Sequence, residues 1–193
     1  KNNVSIKKNI MITGPNASGK TTILKSFLIN QILSQQIGCG CYDSADIKCY
    51  DHIYSYLNIP DTSGRDSLFQ AEARRCKNII DNIKNNESDT HLCIFDELYS
   101  GTNPSDAVET AYSFIKYMIK YKNNVRFLIT THYFDLCEKC NQKIKKNIYQ
   151  KSMKTNHNNG IINYTYLIQD GINKTRAGKD VLRQMEYPDE ITD

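Results

Sequence analysis

The chain has 193 residues with 25 Lys and Arg against 21 Asp and Glu, a formal net charge of +4, and 39% hydrophobic residues with no Trp. That length sustains one domain with a real core, and the lysines, grouped only at Lys7-Lys8 and from Lys143 to Lys154, give a solvated face rather than a nucleic-acid groove. Seven scattered cysteines exclude a disulfide framework, and the lack of a long apolar span or a signal-peptide pattern excludes a membrane or secreted protein, so a soluble, intracellular chain with reduced thiols is expected.

In chain order, the apolar run Ile10-Met11-Ile12 reads as a buried strand, and Ile23, Leu24, Phe27, Leu28 and Ile32 recur at helical spacing. Between them Gly14-Pro15-Asn16-Ala17-Ser18-Gly19-Lys20-Thr21 fits the phosphate-binding loop G-x-x-x-x-G-K-[ST] at every fixed position. Its glycines let backbone N–H groups turn inward around phosphates, and the following helix points its positive end at the same anion. Lys20 is placed to reach β- and γ-phosphates and Thr21 to offer a hydroxyl to Mg²⁺. A nucleoside triphosphate is the expected ligand.

Gly38-Cys39-Gly40-Cys41-Tyr42 marks a turn, followed by the short apolar-containing runs at 45–47 and 50–53, where His52 matches no catalytic pattern. Residues 67 to 84 carry Phe69, Ala73, Cys76, Ile80 and Ile83 on one helical face, and a polar loop from Lys84 to Asp89 ends the helix. Leu92-Cys93-Ile94-Phe95-Asp96-Glu97 is a buried-strand pattern ending in two acids, a Walker B sequence. Asp96 is expected to hold Mg²⁺ through its water shell, and Glu97, pointing elsewhere, to polarise the attacking water. An Asp-Glu pair there favours an ATPase whose site closes between two subunits over a Ras-like GTPase.

Asn103-Pro104 forms a cap and first-turn pair, and Ala107, Ala111, Phe114, Ile115 and Met118 mark the buried stripe that follows. Val125 to Ile129 reads as a strand leading into Thr130-Thr131-His132-Tyr133, and residues 145 to 168 as two strands around Asn158-Asn159-Gly160, forming a sheet edge. Cys137-Glu138-Lys139-Cys140 has zinc-like spacing that Cys39-Gly40-Cys41 could complete, but the second pair lacks the usual interval. Alternating strands and helices predict an α/β fold with a mainly parallel sheet flanked by helices and an antiparallel edge. No repeat or linker interrupts residues 1–193, so they are expected to form one domain.

These motifs resemble the MutS mismatch-repair ATPases of the ABC-type superfamily over most of the chain. Gly14 to Thr22 looks like that family's G-P-N-x-x-G-K-S-T, which implies that Asn16 also reaches the γ-phosphate and that Pro15, Ala17, Ser18, Gly19 and Thr22 belong to the nucleotide loop. Asp96 to Thr102 is similar to D-E-[IL]-x-x-G-T, which turns Ser100, Gly101 and Thr102 into dimer-interface candidates. Thr130 to Tyr133 matches [AT]-T-H-[YF], making His132 the γ-phosphate sensor. Asp61 to Glu72 looks like the loop and helix carrying R-G-x-S-x-F-x-x-E, whose Ser meets the ATP of the opposite subunit, so the resemblance places Ser67 in trans. The helix starting there would offer free N–H groups to an anion, or Ser67 is a plain surface cap. Here the residues run Ser-Gly-Arg-Asp-Ser rather than Arg-Gly-x-Ser, which leaves Arg65 without the family arginine's place.

The resemblance implies a P-loop NTPase fold of ABC type, ATP and Mg²⁺ as ligands, Mg-dependent ATP hydrolysis, a second copy of the domain as partner, and DNA contacts through parts of the protein lying outside this chain. Beginning at Lys1, the chain reads as an excised domain without the family's mismatch reader; the single Phe-x-Glu match, Phe95-Asp96-Glu97, is committed to the strand and the metal site. Two alternatives stand beside mismatch repair. One is a MutS relative acting in recombination control or ribosome rescue. The other is a different ABC-type ATPase, opposed by the lack of an L-S-G-G-Q-like signature before Leu92.

Overall fold

The computed structural model describes residues 1–57, 67–121, 123–158, 161–175 and 178–192. Six strands form one sheet: β1 (Asn9–Thr13), β2 (His52–Tyr56), β3 (His91–Asp96), β4 (Val125–Thr131), β5 (Ile148–Asn158) and β6 (Ile161–Asp170). Their order is β2-β3-β4-β1-β5-β6, with every neighbouring pair parallel except β5 and β6, which run antiparallel. The mainly parallel sheet and antiparallel edge expected from the sequence are present. Residues 159–160, at the hairpin turn read from the sequence, lie outside the described residues, as do 58–66 with Arg65, and Ala177.

Residue alternation along the central strands explains why helices cover both faces. Ile10, Ile12, Leu92, Ile94 and Leu128 face one side and join Leu24 of α1 (Lys20–Ile37). Met11, Cys93, Phe95, Phe127 and Ile129 face the other and pack with α2 (Leu68–Asn85), α3 (Pro104–Met118) and α4 (Phe134–Ile144). A strand covered on both faces has no polar side to show, which is why β1 and β3 are buried and nearly uninterrupted in apolar residues.

The stripe predicted for α3 is buried throughout, and Asn103 caps it by accepting a hydrogen bond from the Asp106 amide at 2.9 Å, with Pro104 in the first turn. In α2 the inward positions are Glu72, Cys76, Ile79 and Ile83, so the helix turns slightly from the expected face and buries a carboxylate that apolar periodicity could not flag. Ile32, expected on the inner face of α1, is 41% exposed, because α1 closes only a narrow strip of the sheet through Leu24. Strand β4 runs two residues beyond the predicted end, bringing Thr130 and Thr131 inside the sheet. Among the described residues no helix is long and apolar enough to cross a membrane.

Candidate functional site

The parallel pairing aligns the ends of β1, β4 and β3 side by side: Thr13 pairs with Thr131, and Thr130 with Asp96. The sequence motifs at 14–22, 96–97 and 130–133 therefore emerge together at the carboxyl edge of the sheet, the place where open α/β sheets bind ligands. Gly19, the N-cap of α1, has φ 95°, a left-handed conformation that suits glycine, and no side-chain hydrogen bond closes the helix end. Ala17 also has a positive φ, 62°. Asn16, Ala17 and Thr22 are exposed, Gly14, Pro15 and Ser18 buried, and Ser18 closes the loop by donating to the Pro15 carbonyl at 2.7 Å.

Lys20 is 5% exposed, and its Nζ donates to the Gly14 and Pro15 carbonyls at 3.0 and 3.1 Å. The same ammonium lies 3.2 Å from Glu97 Oε1. His132 Nδ1 stands 3.4 Å from the other carboxylate oxygen, Oε2. The hydrogen bond from His132 and then the charge of Lys20 outweigh burial and hold the Glu97 carboxyl down to about 2. Glu97 is thus an ionised base placed between a cation and an imidazole.

Asp96 is gripped from helix α1 and strand β4. Thr21 Oγ1 donates to its Oδ2 at 2.7 Å, and Thr130 Oγ1 donates to its Oδ1. The Thr130 hydroxyl and carbonyl both accept from the Glu97 amide at 3.2 Å, so a single β4 residue orients both acids. In the sequence Thr130 belongs to the motif 130–133 with no role of its own; only the β3–β4 register brings it within reach of Asp96. The donor set, a hydroxyl beside a carboxylate with a buried ammonium and an uncapped helix end, fits a phosphate with a hard divalent cation such as Mg²⁺.

A cleft of about 740 Å³ opens beside this group, lined by Thr13, Gly14, Asn16, His132, Tyr133 and Lys174 among others. On the other side of the loop a groove of about 1600 Å³ runs past Gly19, Thr22, Val4, Ile6 and Tyr166 toward residues 40–48. Tyr166 is 58% exposed, with φ 57°, and its ring packs so close to Gly19 that a Cβ there would meet Tyr166 Cδ1 at 3.1 Å. Sequence reading gave Tyr166 no role; a lone aromatic in an edge strand carries no signal until the sheet order sets β6 beside the loop.

Ser67 is exposed at the start of α2, where its hydroxyl accepts from the Gln70 amide at 3.3 Å and Gln70 Oε1 accepts from the Ser67 amide at 2.9 Å, a capping box. It is joined to the segment that follows β3 indirectly. Glu72, one turn further along α2, accepts hydrogen bonds from Ser100 and Gly101. The other motifs lie apart. His52 pairs with Asp89 at 2.9 Å and stacks on His91 at the opposite ends of the strands. All seven cysteines are free thiols, with Cys137 and Cys140 buried and Cys39 and Cys41 exposed. Among the described residues no group of three His, Cys, Asp or Glu could hold a metal ion.

Residues 10–193 match the family model described as MutS domain V. The DNA mismatch repair protein MutS of Christiangramia forsetii is 32% identical over 151 residues, 76% of this chain and 17% of that protein. The MutS of Staphylococcus epidermidis is 28% identical over 187 residues, 95% of this chain and 20% of that protein. The DNA mismatch repair protein MSH3 of Scheffersomyces stipitis is 35% identical over 130 residues, 65% of this chain and 12% of that protein. The chain spans a fifth or less of the length of each of these relatives.

Proposed function

This chain belongs to the MutS family, as its domain V, and from that premise we propose that residues 1–193 form one P-loop ATPase domain of ABC type that binds Mg-ATP and hydrolyses it for a mismatch-repair protein. The observation that carries the reading is the convergence of Lys20, Thr21, Asp96, Glu97 and His132 at adjacent strand ends. Five residues from three separated motifs, one cationic, two acidic, one hydroxyl and one imidazole, are the parts that phosphoryl transfer to water requires.

In this mechanism the loop from Gly14 to Thr22 wraps the phosphates, with Asn16 and Lys20 at the terminal one. Lys20 turning toward a phosphate leaves Glu97 with His132 as its remaining polar neighbour, which frees one carboxylate oxygen to accept the proton of a water. The water oxygen bonds to the terminal phosphorus, the bond from that phosphorus to the bridging oxygen breaks, and ADP leaves with the electron pair on that oxygen while inorganic phosphate is formed. Thr21 and Asp96 would hold Mg²⁺, which when bound would neutralise charge on the phosphate oxygens. His132 reports the terminal phosphate. Tyr166 supports the base as a stacking platform over Gly19.

Ser67 is proposed to act in trans, the N-terminal end of α2 closing on the nucleotide of a second copy, so that hydrolysis becomes a change of dimer geometry transmitted to DNA-holding parts of the protein. The names of the relatives, all DNA mismatch repair proteins, support that setting over recombination control or ribosome rescue. The test is the ATPase rate per protomer against protein concentration, with Lys20→Ala as background. A rate that rises with concentration and falls in Ser67→Ala supports the shared site; a substantial rate independent of concentration sinks it.

A further inference from the structure

Between Asp96 and Gly101 the backbone makes two turns that side-chain-bearing residues avoid. Glu97 has φ 51° and Tyr99 φ 59°, both left-handed and neither glycine. Left-handed backbone is strained for residues that carry a Cβ, so something around them must hold the segment. One end is held by β4, through the Glu97 amide on Thr130. The other end is held by a single carboxylate. Glu72, 2% exposed on α2, accepts from the Ser100 amide at 3.1 Å and the Ser100 hydroxyl at 2.9 Å on Oε1, and from the Gly101 amide at 3.1 Å on Oε2.

The neighbours make this anchor rigid. Leu98 and Tyr99 are buried in the core cluster, and the Tyr99 amide donates to Tyr56 Oη at 3.4 Å. Gly101 lies against the start of α2, where a Cβ would come 2.7 Å from Leu68 Cγ and 2.8 Å from the Phe69 amide nitrogen. The hydrogen bonds of the Glu72 carboxylate go to Ser100 and Gly101, not to Lys20 or His132, so it takes no part in proton transfer and fixes the far end of the segment whose near end is held by Thr130.

We propose that Glu72 is a positioning residue for ATP hydrolysis: by holding the Ser100-Gly101 amides it keeps Glu97 in its left-handed conformation with the carboxylate between Lys20 and His132. The inference rests on the reading of Glu97 as the base that activates water. Because Glu72 and Ser67 share α2, the same anchor makes the placement of Glu97 and of that helix end one rigid unit. Loss of the anchor lets Glu97 relax toward ordinary backbone, which moves its carboxylate off the attacking water while leaving the phosphate loop intact.

The experiment is a steady-state ATPase series on the full-length protein comparing wild type, Glu72→Gln, Ser100→Ala, Glu97→Gln and the Glu72→Gln/Glu97→Gln double variant. Glu72→Gln keeps the shape but turns one acceptor into a donor facing an amide, and lowers kcat roughly tenfold to a hundredfold, as a misplacement of about 1 Å does, with KM for ATP within about threefold of wild type. Placed on Glu97→Gln it costs nothing further, because the group it positions is gone. Ser100→Ala, which removes only the hydroxyl bond, lowers kcat about threefold and carries the test where Glu72→Gln does not fold. A retained kcat in Glu72→Gln beside a lost one in Glu97→Gln overturns this inference alone, as does an equal extra loss on the Glu97→Gln background. A Glu97→Gln rate equal to wild type removes the base itself and the inference with it.

Discussion

The ammonium of Lys20 lies 3.2 Å from Oε1 of Glu97, so the cation at the start of α1 and the acid that follows β3 are direct partners in the protein alone. Lys20 is nearly buried while Glu97 keeps about a third of its side chain in solvent, at 4% and 30% exposure. A buried ammonium is stable only with acceptors around it, and two loop carbonyls and this carboxylate supply them.

The hydrogen bond from His132 and the charge of Lys20 together give Glu97 a pH signature. Glu97 titrates at about 2 instead of its ordinary 4.5. A depressed carboxyl contributes stability that is present above the unfolded value and lost as pH falls from 4.5 toward about 2. The stability difference between wild type and Glu97→Gln, followed by urea unfolding, is therefore constant from neutral pH down to about 5 and shrinks below it. A difference that survives unchanged at the acid end contradicts the stabilisation of the Glu97 carboxylate by His132 and Lys20.

Thr130 holds one oxygen of Asp96 and the amide of Glu97 at once. Thr130→Val keeps the shape and the β4 strand but removes both bonds. Hydrogen bonds to charged groups contribute about 1.5–3 kcal/mol, so the Mg²⁺ concentration for half-maximal ATPase rises about tenfold or more. An unchanged Mg²⁺ dependence in a folded variant shows that Asp96 needs no such support.

At Gly101 the obstacle to a side chain is backbone rather than a flexible tip. Gly101→Ala drives a Cβ to 2.8 Å from the Phe69 amide nitrogen, which α2 cannot yield without moving. Thermal unfolding should show a loss of about 1–3 kcal/mol, the usual range for overpacking a rigid contact. Wild-type stability in Gly101→Ala would mean that α2 and the Walker B segment are not tightly joined.

Tyr166 gives a test of where the base sits. Stacking on an aromatic ring contributes about 1–3 kcal/mol per base, so Tyr166→Ala weakens ATP binding about tenfold or more in a calorimetric titration. Inorganic tripolyphosphate, which has no base, binds both proteins alike. Equal weakening of both ligands would place Tyr166 as a support for the Gly19 turn instead.

Where the physics is local, the residues could be read in line. Gly14 to Thr21 is a contiguous loop whose glycines, lysine and threonine have their geometry set within eight positions, and Leu92 to Glu97 is one strand and its end. The same holds for Asn103-Pro104 as a cap and for the buried stripe of α3. Side-chain period showed that β5 and β6 would be strands, yet said nothing of β5 pairing in parallel with β1.

What the amino-acid sequence determined by itself is the set of chemical parts and the α/β alternation, because strand period, helix period and loop spacing depend on near neighbours. What only the tertiary structure decided is which distant residues serve those parts: Thr130 for Asp96, Glu72 for Ser100 and Gly101, Tyr166 for Gly19. Those partners are separated along the chain by 34 residues in the first pair and 28 between Glu72 and Ser100. Thr130 meets Asp96 because β3 and β4 pair in that register, and Glu72 meets Ser100 because α2 packs against the chain that leaves β3. A contact made across a sheet or between a helix and a strand end leaves no period in the sequence, since either residue would look the same facing solvent.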